Sequence, residues 1–186
     1  MKNYKGKIKS IKNVAKDVFR LDIVSDVKMA HAGQFISVLC PDKTFRRPFS
    51  ICDFENGVLS ILIKLRGEGT QYLSSLKEND EIDFVAALGN GFDISQKTLL
   101  IGAGIGIAPM LFLKKELSQK NIENYLITGF RTNEDVIEGS DKNVVGGSVL
   151  DNIDEEIDNF KPQIIAACGP KIVLQKLSEI GKKHNI

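Results

Sequence analysis

The sequence predicts an N-terminal antiparallel β-barrel followed by a small, trimmed parallel α/β domain. Two observations indicate this order. The first half contains about six short runs in which apolar and polar residues alternate or nearly alternate, and the second half intersperses such runs with helical patterns. Because the pattern changes near Lys97, we assign residues 1–95 to the barrel and residues 96–186 to the α/β domain.

Turn-forming residues separate the predicted strands of the barrel. Asn56-Gly57 is a strong signal for a tight hairpin, while Ala32-Gly33 and Pro41-Asp42 bracket another apolar run. Short strands joined by tight turns favour an antiparallel sheet that closes on itself. The clearest predicted strands are 18–24, 34–40, 49–54 and 58–65.

The second half predicts a parallel sheet with helices on both faces. An apolar run at 98–102 enters a glycine-rich turn and then a helical stretch from Pro109 to about Gln119. Ser148 is a plausible N-cap for a later helix, and a closing helix follows Pro170. Further strands are predicted at 125–128 and 163–167, and the apolar residues at helical spacing are Val149, Leu150, Ile153, Ile157 and Phe160, then Val173, Leu174, Leu177 and Ile180.

Composition argues against several classes of partner. The chain has 186 residues, and its 25 Lys and Arg nearly balance its 24 Asp and Glu. No bulk electrostatic field therefore favours nucleic acid or an acidic membrane surface. The N-terminus lacks the apolar run of a signal peptide or a transmembrane helix. These features predict a soluble, cytoplasmic protein that binds neither nucleic acid nor membrane.

Cysteine and histidine indicate no metal site. Cys40, Cys52 and Cys168 are far apart and show no C-x-x-C spacing, which argues against a disulfide framework, structural zinc or a self-contained iron–sulfur cluster. His31 and His184 have no carboxylate or cysteine partner at ligand spacing, and we expect both on the surface. No metal ligand is therefore predicted.

The segment Arg46-Arg47-Pro48-Phe49-Ser50 places two arginines and a hydroxyl at the entry to an apolar strand. Arginine presents a planar fork of donors that suits pyrophosphate oxygens. Pro48 keeps its neighbour extended, which fixes the offset between Arg47 and Ser50. An ordinary strand entry with solvated charges explains the same residues, so the segment alone leaves both interpretations open.

A glycine-rich turn follows the strand that ends near Lys64. Gly67-Glu68-Gly69-Thr70 precedes a predicted helix at 71–76, and the free backbone N–H groups of a helix N-terminus bind phosphate. The same residues can also simply turn the chain and cap the helix.

A second glycine-rich turn, with the sequence GAGIGIAP at 102–109, joins a predicted strand to a predicted helix. Small residues let a pyrophosphate approach the backbone, and Pro109 suits a first helical turn because its missing N–H costs little there. The spacing is G-x-G-x-G rather than the usual dinucleotide fingerprint, and the next strand ends in Arg131 rather than in an acidic ribose partner.

The order of six short motifs resembles the ferredoxin-NADP reductase superfamily and, within it, the electron transfer subunits of dihydroorotate dehydrogenase. The motifs are AGQF at 32–35, RRPFS at 46–50, GEGT at 67–70, LGNGF at 88–92, GAGIGIAP at 102–109 and CGP at 168–170. Together they extend over nearly the whole chain. The resemblance implies an FAD-containing oxidoreductase that passes electrons between NAD(P)H and a partner acceptor.

The resemblance implies that FAD binds to the first half of the chain. Arg47 would contact the pyrophosphate, Ser50 would lie near flavin N5, and Phe49 would pack against the cofactor beside Pro48. Lys64 replaces a more usual arginine, so a point charge takes the place of the donor fork. The other implied FAD residues are Leu62, Ile63, Gly69 and Thr70.

The resemblance implies that NAD or NADP binds to the second half. The implied residues are Gly102, Gly104, Gly106, Pro109, Cys168, Gly169 and Pro170. Hydride would pass from the nicotinamide to flavin N5, with Ser50 and Cys168 flanking its path. Because the two cofactors would perform the chemistry, we assign no catalytic residue.

Two departures from the family pattern keep other functions open. The resembled subunits continue into a cysteine-rich segment that binds a [2Fe-2S] cluster, whereas this chain stops at Ile186 without such ligands, which raises the question of a catalytic or iron–sulfur partner subunit. They also have a helix and a strand after the position of Arg131 that this sequence shortens. The alternatives are a flavin-binding accessory or regulatory module that has lost nicotinamide binding, and a nucleotide-binding protein without flavin.

Overall fold

The computed structural model describes residues 2–41 and 45–186, so Asp42 of one predicted turn lies outside the described residues. Contacts within the chain divide it into two compact units, Met1–Phe92 and Asp93–Ile186. The division falls shortly before the predicted boundary at residue 95.

The first unit is a closed antiparallel barrel, as the sequence predicts. Its elements are β1 (Asn3–Ala15), β2 (Val18–Val24), β3 (Phe35–Val38), β4 (Arg47–Glu55), β5 (Val58–Lys64), α1 (Glu68–Ser75) and β6 (Glu81–Leu88). Within the described residues, six strands follow the order β1-β2-β5-β4-β3-β6, and β6 pairs back to β1. The hairpin between β4 and β5 turns at Asn56-Gly57, whose φ angles of 50° and 76° suit a tight left-handed turn.

Alternate side chains of the strands fill the barrel interior. Leu21, Ile61 and Phe84 lie on three different strands, and each is 0% exposed. Burying a side chain of this size stabilises the fold by about 1.5–3 kcal/mol. The near-alternation in the sequence therefore marks the inward faces of these strands.

A row of polar side chains crosses four neighbouring strands of the barrel. Asp22 on β2 accepts hydrogen bonds from Ser60 Oγ at 2.6 Å, Ser10 Oγ at 2.7 Å and Arg20 Nε at 2.8 Å. Arg20 also reaches Asp53 on β4 at 3.1 Å. Burial alone would raise the pKa of Asp22, but the hydrogen bonds outweigh it and hold this pKa below its ordinary value.

Replacing Asp22 with asparagine is expected to lower the free energy of unfolding by about 1.5 kcal/mol at pH 7, because charge-assisted hydrogen bonds are lost. A carboxylate whose pKa is lowered on folding stabilises the native state above its unfolded pKa, and that contribution disappears as the pH falls through the folded pKa. The difference between Asp22→Asn and the unmodified protein should therefore shrink below about pH 4. Urea unfolding at neutral and acidic pH tests this prediction, with the exposed Asp26→Asn as the control. A difference that persists unchanged in acid would contradict it.

The second unit is a parallel sheet with helices, in agreement with the predicted fold class. Its elements are β7 (Thr98–Ala103), α2 (Ile107–Gln119), β8 (Asn124–Phe130), β9 (Lys142–Val145), α3 (Ile153–Phe160), β10 (Ile164–Cys168) and α4 (Lys171–Lys183). In the described part of the chain, four strands follow the order β10-β7-β8-β9, and every neighbouring pair is parallel. Leu99, Ile127, Ile153 and Leu177 belong to one buried cluster that joins the sheet to α3 and α4.

The second unit contains a strand that the sequence analysis did not identify. β9 pairs with β8 from Lys142 to Val145, and a short 3-10 turn at Asn133–Asp135 lies in the connection between the two strands. The strand was missed because it has only four residues, which alternate between half-buried and exposed positions and so give little apolar signal. Of the helix and the strand that were expected to be shortened after Arg131, the strand is therefore present as β9.

Helix α3 begins later than predicted, and the assignment of Ser148 as its N-cap is wrong. The helix starts at Ile153, and its N-cap is Asn152, which has a left-handed φ of 60°. The N–H group of Ser148 instead donates to Asp151 Oδ2 at 2.8 Å. Packing explains the difference, because Val149 lies so close to β8 that a Cβ on Gly129 would approach the Val149 Cβ to 2.6 Å. This contact holds the segment before α3 in an irregular turn.

Two further predictions about the closing segment are wrong. His184 is not a surface side chain but is 15% exposed, and its Nε2 lies 2.6 Å from Asp154 Oδ1 while its Nδ1 lies 3.6 Å from Asp158 Oδ1. The contacts with His184 and Lys183 hold the pKa of Asp154 below its ordinary value. Leu174, which was expected on the buried face of α4, is 38% exposed.

Within the described residues, no helix is both long enough and apolar enough to cross a membrane. The same residues contain no group of three or more His, Cys, Asp or Glu side chains arranged to hold a metal ion. Cys40, Cys52 and Cys168 form no disulfide within the described residues; Cys40 and Cys52 are buried, and Cys168 is half-buried.

Candidate functional site

The N-terminus of α1 meets Arg47 in the first unit. A Cβ placed on Gly69 would lie 3.6 Å from Arg47 Nε and 3.5 Å from Cys40 Sγ. The Arg47 side chain therefore lies against the first turn of α1, and its Nη1 donates to the carbonyl oxygen of Phe45 at 2.7 Å. The fold thus brings together the RRPFS and GEGT motifs, which are some 20 residues apart in the sequence. We call this arrangement of Arg47, Cys40 and the Gly67–Gly69 turn the arginine–helix cradle.

The first backbone N–H groups of α1 belong to the residues of the cradle. Glu68 and Gly69 occupy the first two helical positions, where N–H groups have no acceptor within the helix. Gly67 is extended, and a Cβ placed on it would meet no atom within 4 Å. The turn is therefore open at Gly67, where a phosphate can approach the start of the helix.

Thr70 shapes this turn through its own hydroxyl group. Thr70 Oγ1 accepts hydrogen bonds from the N–H groups of Arg66 at 2.9 Å and Gly67 at 3.1 Å, and it donates to the carbonyl oxygen of Gly67 at 2.8 Å. The hydroxyl proton is thus already used inside the protein. The capping interpretation accounts for Thr70 better than direct donation to a phosphate.

The residues after Arg47 continue along β4. Pro48 is exposed, whereas Phe49 and Ser50 are half-buried. Ser50 pairs across the sheet with Phe35 of β3. The hydroxyl of Ser50 is therefore held on a regular strand rather than on a loop.

The predicted flavin-contacting segment of β5 differs in exposure from residue to residue. Leu62 is 5% exposed and Ile63 is 0% exposed, so both residues are buried. Lys64 is half-buried at the end of the strand and pairs with Val18 of β2. Lys64 is therefore the residue of this segment whose side chain can reach a charged group.

Arg46 differs from its neighbour Arg47 in its surroundings. Its Nη2 forms an ion pair with Asp83 Oδ1 at 2.7 Å, and its Nη1 donates to the carbonyl oxygens of Ser37 and Asp83. Arg46 therefore connects β3 and β6, and both of its terminal nitrogens have protein partners.

The second unit brings its two predicted nicotinamide motifs into direct contact. A Cβ placed on Gly106 would lie 2.2 Å from the carbonyl oxygen of Cys168, and one placed on Gly169 would lie 2.7 Å from the Cβ of Ala103. The glycine-rich turn after β7 and the end of β10 are therefore packed backbone to backbone. This contact requires glycine at both positions for steric reasons.

The start of α2 is compact. The turn Gly104–Gly106 is a 3-10 helix, and the N–H of Ile107 donates back to the carbonyl oxygen of Gly104. A Cβ on Gly102 would lie 3.0 Å from the Ile107 Cα, so β7 and α2 approach closely there, whereas a Cβ on Gly104 would meet nothing within 4 Å. Pro109 is buried in the first turn of α2. The open side of the turn is therefore at Gly104.

The thiol of Cys168 stays protonated at neutral pH. Burial raises its pKa above the ordinary value of a cysteine. Because the thiolate is the nucleophilic form, the structure gives Cys168 no nucleophilic role. Pro170, beside it, is the N-cap of α4.

Sequence reasoning missed two residues of the first unit that contribute to the candidate site. Cys40 lies beside Gly69 and Arg47, but nothing in the sequence around it predicts this contact. Gln34 is part of the AGQF motif, which was identified only as a family marker. Its side-chain amide donates to the carbonyl oxygens of Ala87 at 3.4 Å and Gly89 at 3.2 Å.

Comparison with known sequences finds relatives that share one name. No family model matches the chain. The chain is 34% identical to the dihydroorotate dehydrogenase B (NAD(+)) electron transfer subunit of Caldanaerobacter subterraneus subsp. tengcongensis, over 98% of this chain and 78% of that protein. It is also 34% identical to the corresponding subunit of Streptococcus mutans serotype c, over 94% of this chain and 76% of that protein.

Comparison with solved structures gives the same class of fold. An NADH-dependent reduced ferredoxin-NADP oxidoreductase superposes with a TM-score of 0.82 and 28% identity, over 95% of this chain and 72% of that chain. Phthalate dioxygenase reductase superposes with a TM-score of 0.80 and 20% identity, over 96% of this chain and 64% of that chain. The second likeness concerns the fold alone.

A closed six-stranded barrel with an arginine–helix cradle, followed by a parallel α/β unit, defines a protein of the ferredoxin-NADP reductase superfamily. The chain belongs to the family of dihydroorotate dehydrogenase B electron transfer subunits. The resemblance seen in the order of the motifs is thereby confirmed.

Proposed function

We propose that this chain is an FAD-containing oxidoreductase and electron transfer subunit that passes electrons between NAD(P)H and a partner acceptor through a bound flavin. The main structural support for this proposal is the arginine–helix cradle. In the cradle, the guanidinium group of Arg47 packs against the N-terminus of α1 at Gly69. A Cβ placed on Gly69 would lie 3.6 Å from Arg47 Nε. Both groups favour a doubly charged pyrophosphate.

The cradle fits the phosphates of FAD in charge and in shape. Arg47 would form charge-assisted hydrogen bonds with one phosphate, and the N–H groups of Glu68 and Gly69 would donate to the other. Gly69 is buried and lets Arg47 pack against the first turn of α1, while the open surroundings of Gly67 would let the phosphate approach. Thr70 would act indirectly by fixing the turn through its bonds to Arg66 and Gly67.

The flavin ring would lie beside β4 and β5. Phe49 would offer an aromatic surface and Ser50 a hydroxyl group near N5. Leu62 and Ile63 are buried and would contribute by holding β5 in place. Lys64 would supply a further positive charge at the strand end, without the fork of an arginine. The bound flavin supplies the redox chemistry, and these side chains would bind and orient it.

The second unit would bind NAD or NADP at the glycine-rich turn. Gly104 leaves the open side of the turn free of a side chain, while Gly102 and Gly106 would shape the turn through their close contacts with Ile107 and Cys168. Pro109 fits the first turn of α2. The contact between Gly106 and Cys168 supports placing the CGP motif at the same site. Cys168 would then border the nicotinamide as a neutral thiol, with Gly169 and Pro170 beside it.

A catalytic partner subunit is part of the proposal. The relatives are electron transfer subunits by name, and a protein of that kind delivers its electrons to another chain. We propose that this chain does the same and delivers its electrons to a catalytic partner subunit.

Anaerobic reduction by NADH or NADPH tests the proposal. Purified protein loaded with FAD should lose the visible absorption band of oxidised flavin when either dinucleotide is added. The same experiment with free FAD is the control, because unbound flavin reacts far more slowly. A flavin that remains oxidised with both dinucleotides would contradict the proposed function.

A flavin-binding accessory or regulatory module is the second candidate. The short turn at Asn133–Asp135 between β8 and β9 favours it, because a smaller unit offers less wall for the adenosine end of a dinucleotide. Calorimetry separates the two functions. Protein that binds FAD but gives no heat with NADH or NADPH would be such a module, whereas measurable binding favours the oxidoreductase.

A further inference from the structure

Gln34 is hydrogen-bonded at both ends of its side chain and at both of its backbone groups. Its Oε1 accepts from the N–H of His31 at 2.9 Å, and its Nε2 donates to the carbonyl oxygens of Ala87 and Gly89 at 3.4 and 3.2 Å. Its backbone N–H donates to the His31 carbonyl oxygen at 3.1 Å, and its carbonyl oxygen accepts from the N–H of Ile51 at 3.0 Å. One residue thus connects the loop before β3, the end of β6 and the middle of β4.

The end of β6 that Gln34 contacts contains an irregularity. Ser37 pairs with Val85, whereas Phe35 pairs with Leu88, so β6 contains one residue more than β3 between these pairs. Ala87 lies in this bulge with a φ of 52°, a left-handed conformation that alanine seldom adopts. A residue in this conformation persists where its surroundings hold it in place. The Gln34 amide, which donates to the Ala87 carbonyl oxygen, is one group that does so.

The bulge determines where Phe35 lies, and Phe35 is the cross-strand partner of Ser50. The backbone carbonyl oxygen of Gln34 also accepts a hydrogen bond from the N–H of Ile51, the residue that follows Ser50 on β4. Ser50 is therefore held from two sides by groups that depend on Gln34. A shift of the bulge would move Phe35 and, with it, the hydroxyl of Ser50.

We propose that Gln34 is a positioning residue for the flavin, which fixes Ser50 by joining the Ala87 bulge to β4. This inference rests on the proposed function, in which Ser50 lies beside flavin N5. The side-chain amide is the essential group, because it donates to the carbonyl oxygens of Ala87 in the bulge and of Gly89 just after β6. A carboxylate at this position would face those carbonyl oxygens without a donor, so Gln34→Glu should behave like Gln34→Leu.

The test compares Gln34→Leu and Gln34→Glu with the unmodified full-length protein. Gln119→Leu serves as the matched control, because Gln119 is an exposed residue at the end of α2. Three quantities are measured: the Kd for FAD, the visible circular dichroism of the bound flavin, and amide hydrogen exchange at Ser50 and Ile51 in the protein without flavin. Flavin dichroism reports the asymmetric surroundings of the ring, which a uniform loss of stability would leave unchanged.

We expect both Gln34 variants to raise the Kd for FAD about tenfold, to change the flavin dichroism, and to exchange faster than wild type at Ser50 and Ile51. Gln119→Leu should match the unmodified protein in all three measurements. Wild-type dichroism and Kd in the Gln34 variants would overturn the positioning role, even if exchange became faster. If the unmodified protein bound no FAD, the proposed function would fail first. Unchanged exchange at Ser50 in the flavin-free variants would then separately overturn the link from Gln34 to Ser50.

Discussion

Replacing Arg47 with alanine is expected to weaken FAD binding by about 1.5–3 kcal/mol, or about 10- to 150-fold in Kd. The guanidinium lies against the first turn of α1, so the substitution would remove a charge-assisted contact with the pyrophosphate. Arg47→Lys should recover part of the loss, because it keeps the charge but lacks the planar fork. Equilibrium titration of flavin-free protein with FAD measures the effect.

The neighbouring arginine provides a matched control for this prediction. Arg46 is joined to Asp83 and to the carbonyl oxygen of Ser37, so Arg46→Ala should lower the stability of the barrel and leave the Kd for FAD near that of wild type. If the two substitutions weakened FAD binding equally, general loss of positive charge would explain the result. Unchanged FAD affinity in Arg47→Ala would contradict the assignment of the cradle.

Replacing Gly106 with alanine is expected to lower the free energy of unfolding of the second unit by about 3 kcal/mol. The new Cβ would lie 2.2 Å from the carbonyl oxygen and 2.7 Å from the carbonyl carbon of Cys168. Both are backbone atoms, so relief requires a shift of β10 or of the glycine-rich turn. The same shift would disturb the proposed dinucleotide site, and we expect NADH binding to fall with stability.

Gly104→Ala is the control that separates the effect of steric crowding on stability from the effect of backbone conformation. It has a left-handed φ of 57°, but a Cβ on it would meet nothing within 4 Å. Gly104→Ala should therefore cost about 1 kcal/mol, from the backbone conformation alone. Urea unfolding monitored by far-ultraviolet circular dichroism compares the two variants. Equal losses, or wild-type stability in Gly106→Ala, would contradict the close contact with Cys168.

The barrel was predictable because its signals are local. Alternation along β2 and β5 and the Asn56-Gly57 hairpin arise from neighbouring residues, and the predicted strand 18–24 coincides with β2 (Val18–Val24). Local chemistry also identified the glycine-rich turn between β7 and α2. The antiparallel barrel and the parallel sheet follow from the order of these elements.

The features that were missed depend on contacts between distant residues. His184 is held by Asp154, which is 30 residues away in the sequence, so its spacing gave no sign of a partner. Ser148 has the chemistry of an N-cap, but packing of Val149 against β8 moves the helix start to Ile153. Arg46 and Arg47 look alike in the sequence, and only the fold assigns one to an ion pair with Asp83 and the other to the helix terminus.

Recognition of the FAD pyrophosphate by the first unit can be tested by comparing the binding of FAD with that of riboflavin. Riboflavin carries the same ring system but no phosphate. Titration of flavin-free protein should give a Kd for FAD at least about a hundredfold lower than that for riboflavin, because Arg47 and the start of α1 contribute charge-assisted bonds to FAD alone. Equal affinity for the two compounds, or no binding of FAD, would contradict the claim.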